Sequence, residues 1–101
     1  MHRYVKLADI VAELQVDEEY LRTLEAEDLI HPKHSSEGEV LVSADEAERI
    51  RLACVLTREL EVNLPGVEVI VHMRESMLAI QRQFSEILDA LVEEMRHRVR
   101  R

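Results

Sequence analysis

Carboxylates dominate the residues of this chain that could do chemistry. Between positions 17 and 28 stand Asp17, Glu18, Glu19, Glu25, Glu27 and Asp28, with Arg22 as the only Lys or Arg among them. Such a cluster could ligate a metal, work as an acid–base pair, or present an anionic face to a basic partner. Acid–base work needs two carboxyl groups in environments that push their pKa values apart, and nothing in this spacing argues for a pocketed pair. A zinc site needs three or four ligands set tetrahedrally. His31 and His34 lie three residues apart, but Cys54 is the chain's single cysteine. No glycine-rich phosphate loop and no Ser/His/Asp set can be argued from spacing. The reading is no metal, no cofactor and no enzyme, which leaves the anionic face.

The charge distribution supports it. The 101 residues carry a formal charge of −8, but unevenly: residues 1–48 hold Arg3, Lys6, Arg22 and Lys33 against thirteen Asp/Glu, a net −9, while the remainder stands at +1. Nucleic-acid affinity comes largely from Lys and Arg neutralising phosphates, so a surface built from the first half repels DNA or RNA. It attracts a basic protein instead.

The elements that must hold this face follow from periodicity. Tyr4-Val5 reads as a short extended start. Leu7, Ile10, Val11 and Leu14 recur at helical spacing over 7–14, and Gln15-Val16 makes a turn. Asp17 is placed to cap a second helix whose acidic first turn suits the helix dipole, with Leu21 and Leu24 inward and Pro32 as its stop. His34-Ser35-Ser36-Glu37-Gly38 and then Val40-Leu41-Val42 read as a hairpin. Ser43 and Glu46 form a capping box opening a third helix through Ile50, Leu52, Val55, Leu56 and Leu60, with Cys54 a small buried residue. Two helices, a hairpin and a third helix make a winged helix-turn-helix.

After Glu61, the Asn63 cap and Pro65 in the first turn start one long helix of about 36 residues, roughly 54 Å. Met77, Ile80, Phe84, Ile87 and Leu91 alternate in spacings of three and four, the seam of a helix that pairs with another. Leu78, Leu88, Val92, Met95 and Val99 run beside it, and Arg96, Arg98, Arg100 and Arg101 make a basic end. Two adjacent stripes are more apolar surface than sixty other residues can cover, so the chain is expected to form a homodimer here, parallel or antiparallel. With 34% charged and 3% aromatic residues, the fold class is mainly all-α. Residues 1–62 are assigned to the winged domain and 63–101 to the dimerisation helix. No apolar run near 18 residues and no secretory signal is present, so a cytoplasmic location is expected.

Leu21-Arg22, Glu25, Leu29-Ile30 and Pro32 resemble the MerR-type pattern Leu-Arg-aromatic-aromatic-Glu followed by Leu-Leu, any residue and Pro. Gly38 matches the wing glycine, and Glu48-Arg49-Ile50 the helix after the wing. Glu61 to Ile70 is similar to the corresponding opening in two MerR relatives, the repressor HspR and the chaperone modulatory protein CbpM. Departures separate those two. DNA-binding members carry aromatic and arginine residues in the recognition helix and wing, and a glycine before Leu-Leu. The matching positions here are Thr23, Leu24, Ala26 and Asp28, with Glu39, Val40, Leu41 and Val42 in the wing.

The CbpM resemblance implies a partner, the J-domain of a DnaJ-like or CbpA-type co-chaperone, whose stimulation of Hsp70 the protein would restrain. Against such a partner the charge of the N-terminal half leads to the expectation that Asp17, Glu18, Arg22, Glu25, Glu27 and Asp28 cover the J-domain's basic helix, with Leu24 and Val40 as apolar centre. An HspR-like DNA-binding regulator is the alternative.

Overall fold

The elements of the computed structural model, which describes residues 3–100, follow the winged order. They are β1 (Tyr4–Lys6), α1 (Leu7–Leu14), α2 (Glu18–Ala26), β2 (Lys33–His34), β3 (Val40–Ser43), α3 (Ala44–Cys54), a π-helical turn (Val55–Glu59) and α4 (Leu64–Val99). The expected class, mainly helical with a small hairpin wing and a long C-terminal helix, is what the chain forms. Arg101 of the expected basic end lies outside the described residues.

Three strands make one antiparallel sheet in the order β1-β3-β2, with Val5 opposite Val42 and Lys33 opposite Leu41. The wing turn closes on Ser35, whose Oγ accepts from the N–H groups of Glu37 and Glu39 at 3.2 and 3.1 Å. Gly38 sits there at φ 86°, a conformation that costs glycine nothing. Beneath the sheet, Ile10, Leu24, Ile30, Val42, Ile50 and Val67 fill the core, with Cys54 buried beside them.

Capping sets the helix boundaries. Asp17 Oδ1 accepts the Tyr20 N–H at 2.8 Å at the start of α2. Ser43 and Glu46 form the full reciprocal box on α3. Asn63 Oδ1 takes the Gly66 N–H at 2.9 Å. A Cβ on Gly66 would stand 2.7 Å from Val62 Cγ1, so any side chain here would have to displace Val62. Arg58 reaches the Leu14 and Gln15 carbonyls at the end of α1, a cation where orphan C=O groups gather. Arg51 grips Glu13 through Nε and Nη2 at 2.8 and 3.1 Å, tying α3 to α1.

Two expected boundaries are corrected. Helix α2 does not run toward Pro32. It stops at Ala26, where the Leu29 N–H bonds the Leu24 carbonyl and the Asp28 N–H the Glu25 carbonyl, a Schellman closure with Asp28 in the left-handed region at φ 59°. Nor does α3 continue as an α-helix through Leu60. Its last turn widens to π geometry, the Val62 N–H reaches the Leu56 carbonyl, and Glu61 turns left-handed at φ 54°. Val55 and Leu60 are exposed in consequence rather than inward.

By its contacts the chain divides into one compact unit ending at Val71 and a second beginning at His72. The first two turns of α4 belong to the first unit and bury Val67 and Val71. In the second unit Met77, Ile80, Phe84, Ile87 and Leu91 are all exposed, Phe84 at 61%. Leu88, Val92, Met95 and Val99 are exposed too. Arg96 and Arg98 pair along the helix with Glu93 and Glu94 at 3.9 and 3.4 Å. Among the described residues, no helix is long and apolar enough to cross a membrane.

Candidate functional site

The outer face of α2 forms because Leu21 and Leu24 turn inward one helical turn apart, which leaves Glu18, Glu19, Arg22, Glu25 and Ala26 outside. Glu27 and Asp28 are exposed at the C-terminal closure. Asp17 is exposed as well, but its carboxylate is already engaged as the N-cap. Of the eight expected contact residues, seven therefore reach solvent, Val40 only in part. Leu24 does not. It stands three residues after Leu21 on the inward stripe of α2 and is 0% exposed, so its assignment as an apolar contact is corrected.

Cations on this face are answered locally. Arg22 Nη2 lies 3.3 Å from Glu18 Oε2, one turn away on α2. Lys6 Nζ lies 3.7 Å from Glu39 Oε2 of the wing. Lys33 stands 5.6 Å above the centre of the Tyr4 ring. Glu25 has no cation within ion-pair reach among the described residues. Surface pairs of this kind contribute little stability, but they set a carboxylate beside each of Arg22 and Lys6 that an approaching phosphate would also meet.

Glu18, Arg22, Glu25 and Val40 are brought together around one depression, floored by Leu7, Leu21 and Ile30 and closed by Pro32 and His34. A second recess shares Leu7, Glu18, Leu21 and Val40 with it and extends to Val11, Lys6 and Glu39. Spacing in the sequence does not single out Leu7, Val11, Lys6 and Glu39 as site residues. Lys6 ends β1, Leu7 and Val11 belong to α1 and Glu39 to the wing, and the pairing of β1 with β3, Lys6 opposite Leu41, brings the first of these segments to the wing.

Glu46 fixes the chain that leaves α2. Its Oε2 accepts the His31 N–H and its Oε1 the Ser43 N–H, the latter at 2.9 Å. Burial alone would raise this carboxyl. Hydrogen bonds from Ser43 and His31, with the nearby Arg49 charge, outweigh that and hold it below the usual carboxylate range. Burial pushes the Tyr20 phenol above its ordinary value, and its oxygen lies 3.3 Å from Thr57 Oγ1, which joins α2 to the π-helical turn. Among the described residues, no group of three or more His, Cys, Asp or Glu could hold a metal, and Cys54 is buried.

A family model described as MerR HTH family regulatory protein matches residues 5–89. No curated protein matches the chain. The match reaches from β1 through the helix-turn-helix, the wing and α3 and well into α4, and the chain belongs to the MerR helix-turn-helix family of regulatory proteins.

Proposed function

We propose that this chain is a CbpM-like, non-enzymatic modulator, a cytoplasmic homodimer that binds the J-domain of a DnaJ-like or CbpA-type co-chaperone and restrains its stimulation of Hsp70. One observation carries the reading: the face on which a MerR-type regulator would carry its phosphate-binding cations is lined by carboxylates, and its cations Lys6 and Arg22 are already paired with Glu39 and Glu18. J-domains engage Hsp70 through a basic helix. An acidic surface that covers this helix competes with Hsp70 for it, and the charges mainly raise the association rate and make binding sensitive to salt.

In this reading residues 1–62 form the partner-binding domain and residues 63–101 the dimerisation helix. The exposed seam Met77, Ile80, Phe84, Ile87 and Leu91 then packs against the same seam of a second copy. The test is an Hsp70 ATPase assay stimulated by the co-chaperone. The chain is expected to suppress the stimulation in proportion to J-domain occupancy and to leave basal ATPase unchanged. Full stimulation at saturating chain would refute the modulator role.

The second reading is an HspR-like regulator that binds DNA. The helix-turn-helix, the wing and the family description favour it. Several carboxylates would then lie within a Debye length, about 8–10 Å, of the phosphates, which opposes binding. A titration with promoter DNA at low salt separates the two readings.

A further inference from the structure

We infer that the depression between α1, α2 and β3 is a docking trench for the apolar side of a basic amphipathic helix from another protein. The inference rests on the proposed basic-helix partner, and it adds the place where that helix is anchored and the side-chain chemistry it must carry. The two recesses, about 300 and 420 Å³ in volume, share Leu7, Glu18, Leu21 and Val40, so they are parts of one continuous depression. Its floor is aliphatic. Leu21 and Ile30 are buried, while Leu7, Val11 and Val40 are only half-buried and keep apolar surface open to water. Covering such surface with leucine- or isoleucine-sized side chains is favourable, and a helix delivers them in a row at spacings of three and four.

The rim decides which kind of helix. It carries three carboxylates, Glu18, Glu25 and Glu39, and two cations, Arg22 and Lys6. Each cation is held by one of those carboxylates, and Glu25 is left over. An anionic ligand could gain these cations only by pulling Arg22 from Glu18 and Lys6 from Glu39, which would leave three carboxylates facing its own charge. A lysine or arginine at the edge of an incoming helix meets Glu25 directly and can share Glu18 or Glu39 without breaking anything costly. Apolar anchors in the floor thus supply residence time, and the acidic rim supplies orientation and association rate.

The trench is tested by recording methyl spectra of the full chain during titration with the isolated J-domain, alongside the variants Val40→Asp and Glu25→Gln. Shifts at the Leu7, Leu21 and Val40 methyls are expected. Val40→Asp is expected to weaken binding by roughly tenfold or more, and Glu25→Gln by about threefold with a shallower salt dependence. Should Val40→Asp fail to fold, the wild-type methyl shifts and Glu25→Gln still decide. J-domain binding without shifts at those three methyls, and with Glu25→Gln binding as wild type, would overturn the trench while leaving the proposed partner in place. Absence of J-domain binding would overturn both. Shifts at those methyls on raising the concentration of the chain alone, or on adding duplex DNA, would assign the trench to a second copy or to nucleic acid and overturn it as well.

Discussion

Arg22 and Glu18 lie one helical turn apart on the open face of α2, with Nη2 and Oε2 at 3.3 Å. The guanidinium that a helix-turn-helix would aim at a phosphate or a base is thereby paired with a carboxylate of its own helix. The pair is exposed and adds little to stability. Its meaning is electrostatic: in the midst of Asp17, Glu19, Glu25, Glu27 and Asp28, the face stays anionic even where it carries a cation.

Charge reversal on that face is expected to act on binding and not on folding. Glu25→Lys with Glu27→Lys alters two exposed side chains and leaves Asp28, whose left-handed backbone an added lysine would strain. Affinity for the J-domain should fall by about tenfold or more, with an unchanged melting temperature. Calorimetric titration beside a thermal melt checks both halves, and unaltered affinity would move the contact to another surface.

The α2 closure offers a stability test. Asp28 holds φ 59° at the position that follows the helix cap, where glycine meets no Cβ penalty. Asp28→Gly is expected to stabilise the domain by about 0.5–1 kcal/mol, and Asp28→Val to destabilise it by more than that. Denaturant unfolding of the three proteins reads the order directly.

Glu46 gives the fold a pH dependence. Its carboxyl titrates below its ordinary value in the folded chain. A carboxylate shifted this way stabilises the fold above its unfolded pKa, about 4.3, and the contribution is lost as pH falls through the folded value. Glu46→Gln keeps one acceptor but turns an NH₂ toward the second N–H. It should cost about 1 kcal/mol at neutral pH, and the gap to wild type should narrow in acid, as pH falls below the unfolded value. Unfolding curves under the two conditions decide it, and a gap that persists undiminished in acid would contradict the account.

Much of this architecture is legible in the sequence because it rests on local chemistry. Asp17, Ser43 and Asn63 each announce a helix start, since a side-chain oxygen there satisfies N–H groups two or three residues on, and all three caps form. Gly38 likewise marks the wing. Ends are harder. Asp28 takes a backbone conformation usually left to glycine, so its sequence conceals the closure of α2. The π-helical turn at 55–59 hides because its residues continue an α-helical pattern. Leu24 shows a conflict that is legible in the sequence: the spacing that turns it inward beside Leu21 already argues against it as a contact, and its burial agrees with the spacing. The trench depends on the start of α1 and on the wing meeting α2, a tertiary arrangement that spacing does not carry.

The exposed seam of α4 makes the dimer testable. Light scattering should give roughly twice 11.8 kDa. Phe84→Asp with Leu91→Asp should reduce this to one chain or precipitate the protein, since the charges would be buried without partners. An unchanged dimer would place the interface elsewhere.

The most direct measurement is calorimetric titration of the chain with the isolated J-domains of the same organism's DnaJ-like co-chaperones, at near-physiological salt and again at high salt. Binding is expected at about micromolar affinity or tighter, near one J-domain per subunit, weakening as salt rises. No heat with any J-domain, together with saturable binding to promoter DNA, would contradict it.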